Sequence, residues 1–363
     1  MKEEQKNRDY SLDWIKVLAI FMVCETHYLH LNESWIDNLC GVTTNMGVPL
    51  FFMVNGALLF QKKLDVQKHY AKTFKIFILC VLWKMISVLV VSVVNGISPF
   101  ENGWSPFINY LLGYNVLDGY ELGHFWFLYA LIGIYIIFPV IRLAIEQKEG
   151  KKVVGILCGI LFFFSFCMTS LNLILQIIGF STNKSINIDF NALNSFNLFG
   201  QYGYCLVMFI VGGLLYPVVN NLKLSSEENK GINVILLILF LIGWGLLFGI
   251  NRFQNLVGYA NGIVIDGYFQ IPTFIMTTSL FILFVRNLKR MNNTCIVSLA
   301  KNSFSIYMLH MLIGLLFLKV QAIYQFPLGI VLNTLKALYM LLGSWIFSLI
   351  LCKIPIVKKL FEF

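Results

Sequence analysis

Ten stretches of this chain stay apolar for about twenty residues at a time, at approximately 12–31, 44–60, 74–95, 124–145, 153–171, 198–219, 232–250, 267–285, 296–318 and 328–351. At about 1.5 Å of rise per residue, such a run reaches roughly the 30 Å of a bilayer's hydrocarbon core. Hydrocarbon offers no partner to an open backbone N–H or C=O, so these segments must cross as helices that close their own hydrogen bonds. The expected fold class is an all-α polytopic membrane protein with about ten transmembrane helices. Composition agrees: 58% of residues are hydrophobic and only 12% charged, where a soluble domain carries about 25% charged residues. A single transmembrane domain over 1–363, with no soluble domain, is the expected organisation.

The net charge of +9 lies in short loops and not in one basic groove, so it sets topology and gives no reason to expect nucleic acid as a partner. One side gathers Lys2, Lys6 and Arg8; Lys62, Lys63, Lys68, Lys72 and Lys75; Arg142, Lys148, Lys151 and Lys152; Lys223 and Lys230; Arg286, Lys289 and Arg290; and Lys353, Lys358 and Lys359. The other has only Lys184, Arg252 and Lys319 near its loops. Both termini are therefore expected in the cytoplasm. The polar start and the long first run, without a small-residue cleavage site, read as a retained signal anchor. The eight cysteines show no C-x-x-C pair and, Cys40 and Cys295 apart, sit in apolar runs; they read as packed small hydrophobes, without a disulfide or a metal site.

The two longest outer connections, about 96–122 and 172–197, are rich in Asn, Ser, Gly and aromatics such as Trp104, Tyr110, Tyr114 and Tyr120. That surface suits stacking against sugar rings, and it equally suits an interfacial aromatic belt. The pairs Gly155/Gly159 and Gly245/Gly249 have the spacing of close helix packing; Gly258/Gly262, at a loop, is given no role.

The first run is unusual in carrying Asp13, Lys16, Glu25 and His27. An ionisable group at membrane depth costs roughly 2.5–3.5 kcal/mol even on lenient scales, so such groups usually face a bundle interior or a wet cavity. Lys16 and His27 are eleven residues apart. At about 100° per residue they fall within about 20° of one face, roughly 16 Å apart. Asp13, one turn before Lys16, can partner the ammonium, while Glu25 points away from that face. Two readings stand for each cation. Lys16 is functional or snorkels to the headgroups. His27, with His30 beyond it, is functional or a boundary residue satisfied by water. Their pairing on one face favours function.

Three other histidines bear on chemistry. His124 opens the fourth span beside Trp126, as an acceptor contact or a satisfied interfacial side chain. Tyr307 and His310 share one face, to position a substrate or to hydrogen-bond across the bundle. His69, among Lys68 and Lys72, reads as solvated. There is no P-loop, no G-x-S-x-G and no H-E-x-x-H.

Four stretches resemble one family. Leu12-Asp13-Trp14-Ile15-Lys16 followed by His27 resembles the first helix of the acyltransferase-3 family of integral membrane acyltransferases, where an arginine precedes a histidine by ten intervening residues. Gly47-Val48-Pro49-Leu50-Phe51-Phe52-Met53-Val54-Asn55-Gly56 is similar to its Phe-Phe-x-x-Ser-Gly segment. His124-Phe125-Trp126-Phe127-Leu128 is similar to its His-x-Trp-Phe-Leu helix, and Ser303 to His310 to its late Ser-x-x-Ile-Tyr-x-x-His helix. The likeness is nearest to the branch that O-acetylates surface polysaccharides. Lys16 stands where the family has arginine, without the bidentate fork of a guanidinium, and Asn55 where it has serine.

The resemblance implies an O-acyltransferase in the cytoplasmic membrane of a bacterium. Its partners would be acetyl-CoA as donor, a glycan acceptor and the lipid bilayer, with no permanently bound cofactor, no metal, and a homo-oligomer left open. It implies essential roles for His27 and Lys16. By chemistry His27 would be the general base, since its unperturbed pKa suits taking a hydroxyl proton near neutral pH. Lys16 would hold the pantetheine or phosphate part of the donor. His124, Trp126, Asn55, Tyr307 and His310 are the expected substrate contacts. An acyl-enzyme on Cys24, one turn from His27, is the less favoured route. The alternative from another class is a transporter or exporter of polysaccharide or a small polar solute, with Lys16, Glu25 and His27 lining the path.

Overall fold

The computed structural model describes residues 8–27, 35–101, 103–114, 116–120, 122–197, 199–222, 225–258, 267–324 and 330–362. Lys2, Lys6, His30, Lys223, Gly262 and the expected span ends at 28–31 and 328–329 lie outside them. Of the described residues 83% are helical, and none forms a strand. Its helices are α1 (Tyr10–Thr26), α2 (Trp35–Thr44), α3 (Gly47–Phe60), α4 (Val66–Asn95), α5 (Trp104–Leu112), α6 (Trp126–Glu146), α7 (Gly150–Phe162), α8 (Met168–Thr182), α9 (Gly203–Asn221), α10 (Ser226–Leu256), α11 (Ile271–Asn287), α12 (Thr294–Lys301), α13 (Ser303–Tyr324), α14 (Ile330–Leu351) and α15 (Pro355–Lys358).

Each expected span falls on a helix. Among the described residues, eight helical stretches are long and apolar enough to cross a membrane. The remaining two spans, α1 and α11, are described over 17 residues each. Three boundaries differ from the hydropathy reading. The expected span at 296–318 is broken at Asn302 into α12 and α13, at a residue whose side chain competes for backbone hydrogen bonds. The outer connection expected from 172 begins only after Thr182, because a wide helical turn at Phe163–Cys167 carries the helix on from α7 into α8. The connection at 96–122 contains α5, and α4 ends before it on Gly96 in the left-handed conformation (φ 67°) that glycine adopts without strain.

The chain forms two compact units. The first comprises Met1–Lys62, Ala144–Lys301 and Leu328–Asn333. Its central element is α3, which buries eleven of its fourteen residues and packs on both α1 and α9. α3 and α9 cross at backbone distance: a Cβ at Gly56 would lie 1.9 Å from the Phe209 carbonyl oxygen, and one at Gly212 would lie 2.2 Å from that of Met53. Lipid tails are as apolar as Leu, so such close van der Waals packing, and not the hydrophobic effect, holds helices together in the membrane. The two expected packing pairs do not serve this purpose. Gly155, Gly159, Gly245 and Gly249 are exposed, with nothing within 4 Å of the Cβ each lacks. They lie on helices whose apolar side chains, such as Ile156, Ile160, Ile242 and Leu246, are themselves exposed, as a lipid-facing surface requires.

α1 sits on α3, α11 and α12. Its first turn is fixed by polar contacts. Asp9 caps it, Oδ1 accepting from the Ser11 amide at 2.9 Å and Oδ2 from the Tyr216 hydroxyl at 2.8 Å. Trp14 Nε1 donates to the Met291 carbonyl at 3.0 Å. Asp13 was expected to partner Lys16; both of its oxygens instead accept from Arg8, each at 2.7 Å, the planar fork outcompeting a point charge.

The second unit comprises Lys63–Leu143, Asn302–Pro327 and Thr334–Phe363. In it α4 packs on α13 and α5. His69, expected to be solvated, is buried. α4 begins at Val66, and its second turn delivers His69 Nε2 to the Tyr135 carbonyl at 2.7 Å, with the ring against Tyr135 and Phe138.

Gly56→Ala should force α3 and α9 apart and cost about 1–3 kcal/mol, as overpacking does in well-filled cores. Thermal unfolding in detergent should show a lowered Tm for Gly56→Ala and none for Gly155→Ala.

Candidate functional site

Lys16, His27 and Asn55 belong to the first unit. α1 runs unbroken from Tyr10 to Thr26, so helical rise holds Lys16 and His27 roughly 16 Å apart. They cannot touch one reacting atom. His27 is the residue on which α1 ends: its φ of −81° is still near helical, which keeps its Cβ in phase with the helix, and its ψ of 132° turns the chain away afterwards. Both side chains are half-buried. Between them α1 is packed with buried Ala19, Ile20, Met22, Val23 and Cys24. Glu25 is buried at 8% exposure. Asn55 Nδ2 donates to the Phe51 carbonyl one turn back at 2.9 Å, which anchors the amide along the surface of α3.

His124, Trp126, Tyr307 and His310 belong to the second unit, and three of them meet there. The Tyr307 hydroxyl donates to the His124 carbonyl, and the imidazoles of His124 and His310 lie edge to face, ring centres 5.3 Å apart. The Tyr307 ring is 5.7 Å from that of His124 and 5.5 Å from that of His310. His310 Nδ1 lies 2.6 Å from the Tyr307 carbonyl oxygen. A carbonyl only accepts, so in the neutral ring the proton sits on Nδ1 and Nε2 keeps its lone pair. His310 can therefore accept a proton or a hydroxyl hydrogen bond through Nε2. His124, Tyr307 and His310 are all buried, while Trp126, at the start of α6, is half-buried.

The outer aromatics divide. Trp104 and Tyr114 are exposed, at 64% and 67%. Tyr110 and Tyr120 are buried and so are not available as a stacking surface. The reason for Tyr110 is a residue the sequence reading missed. Lys84 on α4 is fully buried and donates to the carbonyl of Tyr110, to that of Tyr114 at 3.2 Å and to the hydroxyl of Tyr129, with its ammonium 4.0 Å from the centre of the Tyr110 ring. Tyr110 and Tyr114 flank the C-terminus of α5, where carbonyls lack helical partners and the helix dipole favours a cation. The Tyr110 hydroxyl in turn reaches the Leu122 carbonyl at 3.4 Å, next to the turn that carries His124. Lys336 on α14 is likewise buried. Both lysines lie inside apolar runs, and that position was the available signal. Among the described residues no group of three or more His, Cys, Asp or Glu is placed to hold a metal ion.

Lys84→Met should remove the ammonium that two carbonyls at the end of α5 share, leaving that of Tyr110 with only the Gly113 amide, and cost about 1–3 kcal/mol. A Tm in detergent equal to that of the unsubstituted protein would refute this role.

A family model described as an acyltransferase domain matches residues 9–351. No curated protein and no solved structure matches the chain. The family match spans nearly the whole sequence and includes all four stretches that carry His27, Asn55, His124 and His310. The chain belongs to the acyltransferase-3 family of integral membrane acyltransferases.

Proposed function

We propose that this membrane acyltransferase moves an acetyl or other short acyl group from acyl-CoA to a hydroxyl of an extracytoplasmic or lipid-linked glycan, with His27 as general base. The observation that carries the reading is α1: one unbroken helix with an imidazole at the end that the loop charges assign to the outside and a lysine near the other. A cytoplasmic thioester and an external hydroxyl must meet across the bilayer, and this helix offers a group for each. Both termini are then cytoplasmic and the protein resides in the cytoplasmic membrane of a bacterium. In the reaction His27 takes the acceptor's hydroxyl proton as its oxygen attacks the thioester carbonyl. The C–S bond then breaks, and the leaving thiolate takes that proton from the His27 imidazolium to depart as coenzyme A, which returns His27 to its neutral form. Lys16, too distant for the reacting carbon, holds the phosphate or pantetheine part of the donor. His124, Tyr307 and His310, with Trp126 and Asn55, are assigned to acceptor contacts. Direct transfer is favoured over an acyl-enzyme on Cys24, whose thiol is buried.

Coenzyme A release and incorporation of labelled acetyl into extractable glycan, in membranes holding each variant at equal level, provide the test. His27→Ala should lose at least about a hundredfold of both, the usual worth of a general base. A fully active His27→Ala protein would refute the mechanism. Lys16→Arg should keep most activity, since a guanidinium also pairs with phosphate; its inactivity would show that this site is built for an ammonium.

A further inference from the structure

A cavity of about 640 Å³ opens in the first unit, where α8, the segment 183–191 and the ends of α10 and α11 meet. None of the expected site residues lines it. Its wall carries the amides of Asn172, Gln176, Gln254 and Gln270 beside Asp189 and the ring of Phe253. Among the described residues of the wall Lys184 is the one cation and Asp189 the one anion, and their charges balance.

Part of the wall is built in advance. Asn172 Nδ2 donates to Asp189 Oδ1 at 2.8 Å, while its Oδ1 accepts from the Phe190 amide at 2.7 Å. Asp189 Oδ1 also accepts from the Asn191 amide at 2.8 Å. Gln270 is the informative residue. It is 1% exposed, its Oε1 has no hydrogen-bond partner among the described residues, and although it stands at the N-cap of α11 its side chain does not cap the helix. A buried amide oxygen without a donor costs about 1–3 kcal/mol, and because Gln270 lines the cavity, a ligand hydroxyl can supply that donor once the amide turns toward it.

We propose that this cavity binds a neutral saccharide segment. An anion would call for a cationic wall and an acyl chain for an apolar one. The wall instead mixes amides and a carboxylate with the rings of Phe180 and Phe253 and aliphatic side chains such as Leu173 and Ile186, which matches a ligand with many hydroxyls and apolar C–H faces. The volume falls within the roughly 300–1,000 Å³ of small-molecule sites and suits about two or three sugar rings. Resting on the function proposed above, the cavity is the acceptor's subsite: α11, whose N-cap is Gln270, packs on α1, whose end carries His27.

The full chain in lipid nanodiscs, without acyl donor, is titrated with maltotriose and triacetylchitotriose, and with trigalacturonate as the anionic comparison, by saturation-transfer NMR. A neutral trisaccharide should bind saturably and in preference to trigalacturonate. Gln270→Met and Gln176→Leu should each weaken it about tenfold or more, as loss of a ligand hydrogen bond does. Because Gln270→Met removes an unsatisfied amide, it should leave the Tm unchanged or raised, which a structural glutamine would not. No saturable binding by the unsubstituted protein, a preference for trigalacturonate, or variants that bind as well as it does would overturn the proposal. If Gln270→Met unfolds the protein, the exposed Gln176→Leu decides alone. Saccharide binding without coenzyme A release would refute the transferase reading and leave the cavity standing; release without binding would do the reverse.

Discussion

A peptide group in hydrocarbon has no water to turn to, and the architecture follows from that. Backbone groups close within helices. Wherever a helix ends or a polar side chain enters the apolar layer, a partner must come from elsewhere in the chain. The N-terminus of α1 obtains one from Asp9, and the C-terminus of α5 obtains the buried ammonium of Lys84. His69 and His310 each settle on a backbone carbonyl. These contacts do what the hydrophobic effect cannot do in lipid: they tell one helix face from another.

Where no polar group is available, close approach takes over. α3 and α9 meet at Gly56 and Gly212, backbone against backbone, and the buried face of α3 then seats α1. The position of His27 thus depends on two glycines that do no chemistry. The exposed glycines of α7 and α10 show that the spacing of a small-residue motif does not say whether a partner helix is present.

The second unit shows how a sequence motif becomes a chemical one. Tyr307 and His310 share a helix face, but their worth lies in a direction: the Tyr307 carbonyl places the proton of His310 on Nδ1, and the Tyr307 hydroxyl brings the turn of His124 alongside. The result is a basic nitrogen among aromatic rings, stabilised by contacts that motif matching does not register.

The sequence by itself determined the helical class, the approximate positions of the membrane spans and the family, because hydropathy and short motifs are local properties that survive without coordinates. It also marked Lys16 and His27, since helical phase is arithmetic along one element. Only the tertiary structure decided who pairs with whom. Arg8 and not Lys16 takes Asp13, His69 turns inward, Tyr110 is buried by Lys84, the packing glycines are Gly56 and Gly212, and Gln270 lines a cavity with its carbonyl unsatisfied. Each of these depends on a residue far away in sequence or on another helix, and on which of several available partners gives the better geometry. Periodicity along a single helix carries no information about that.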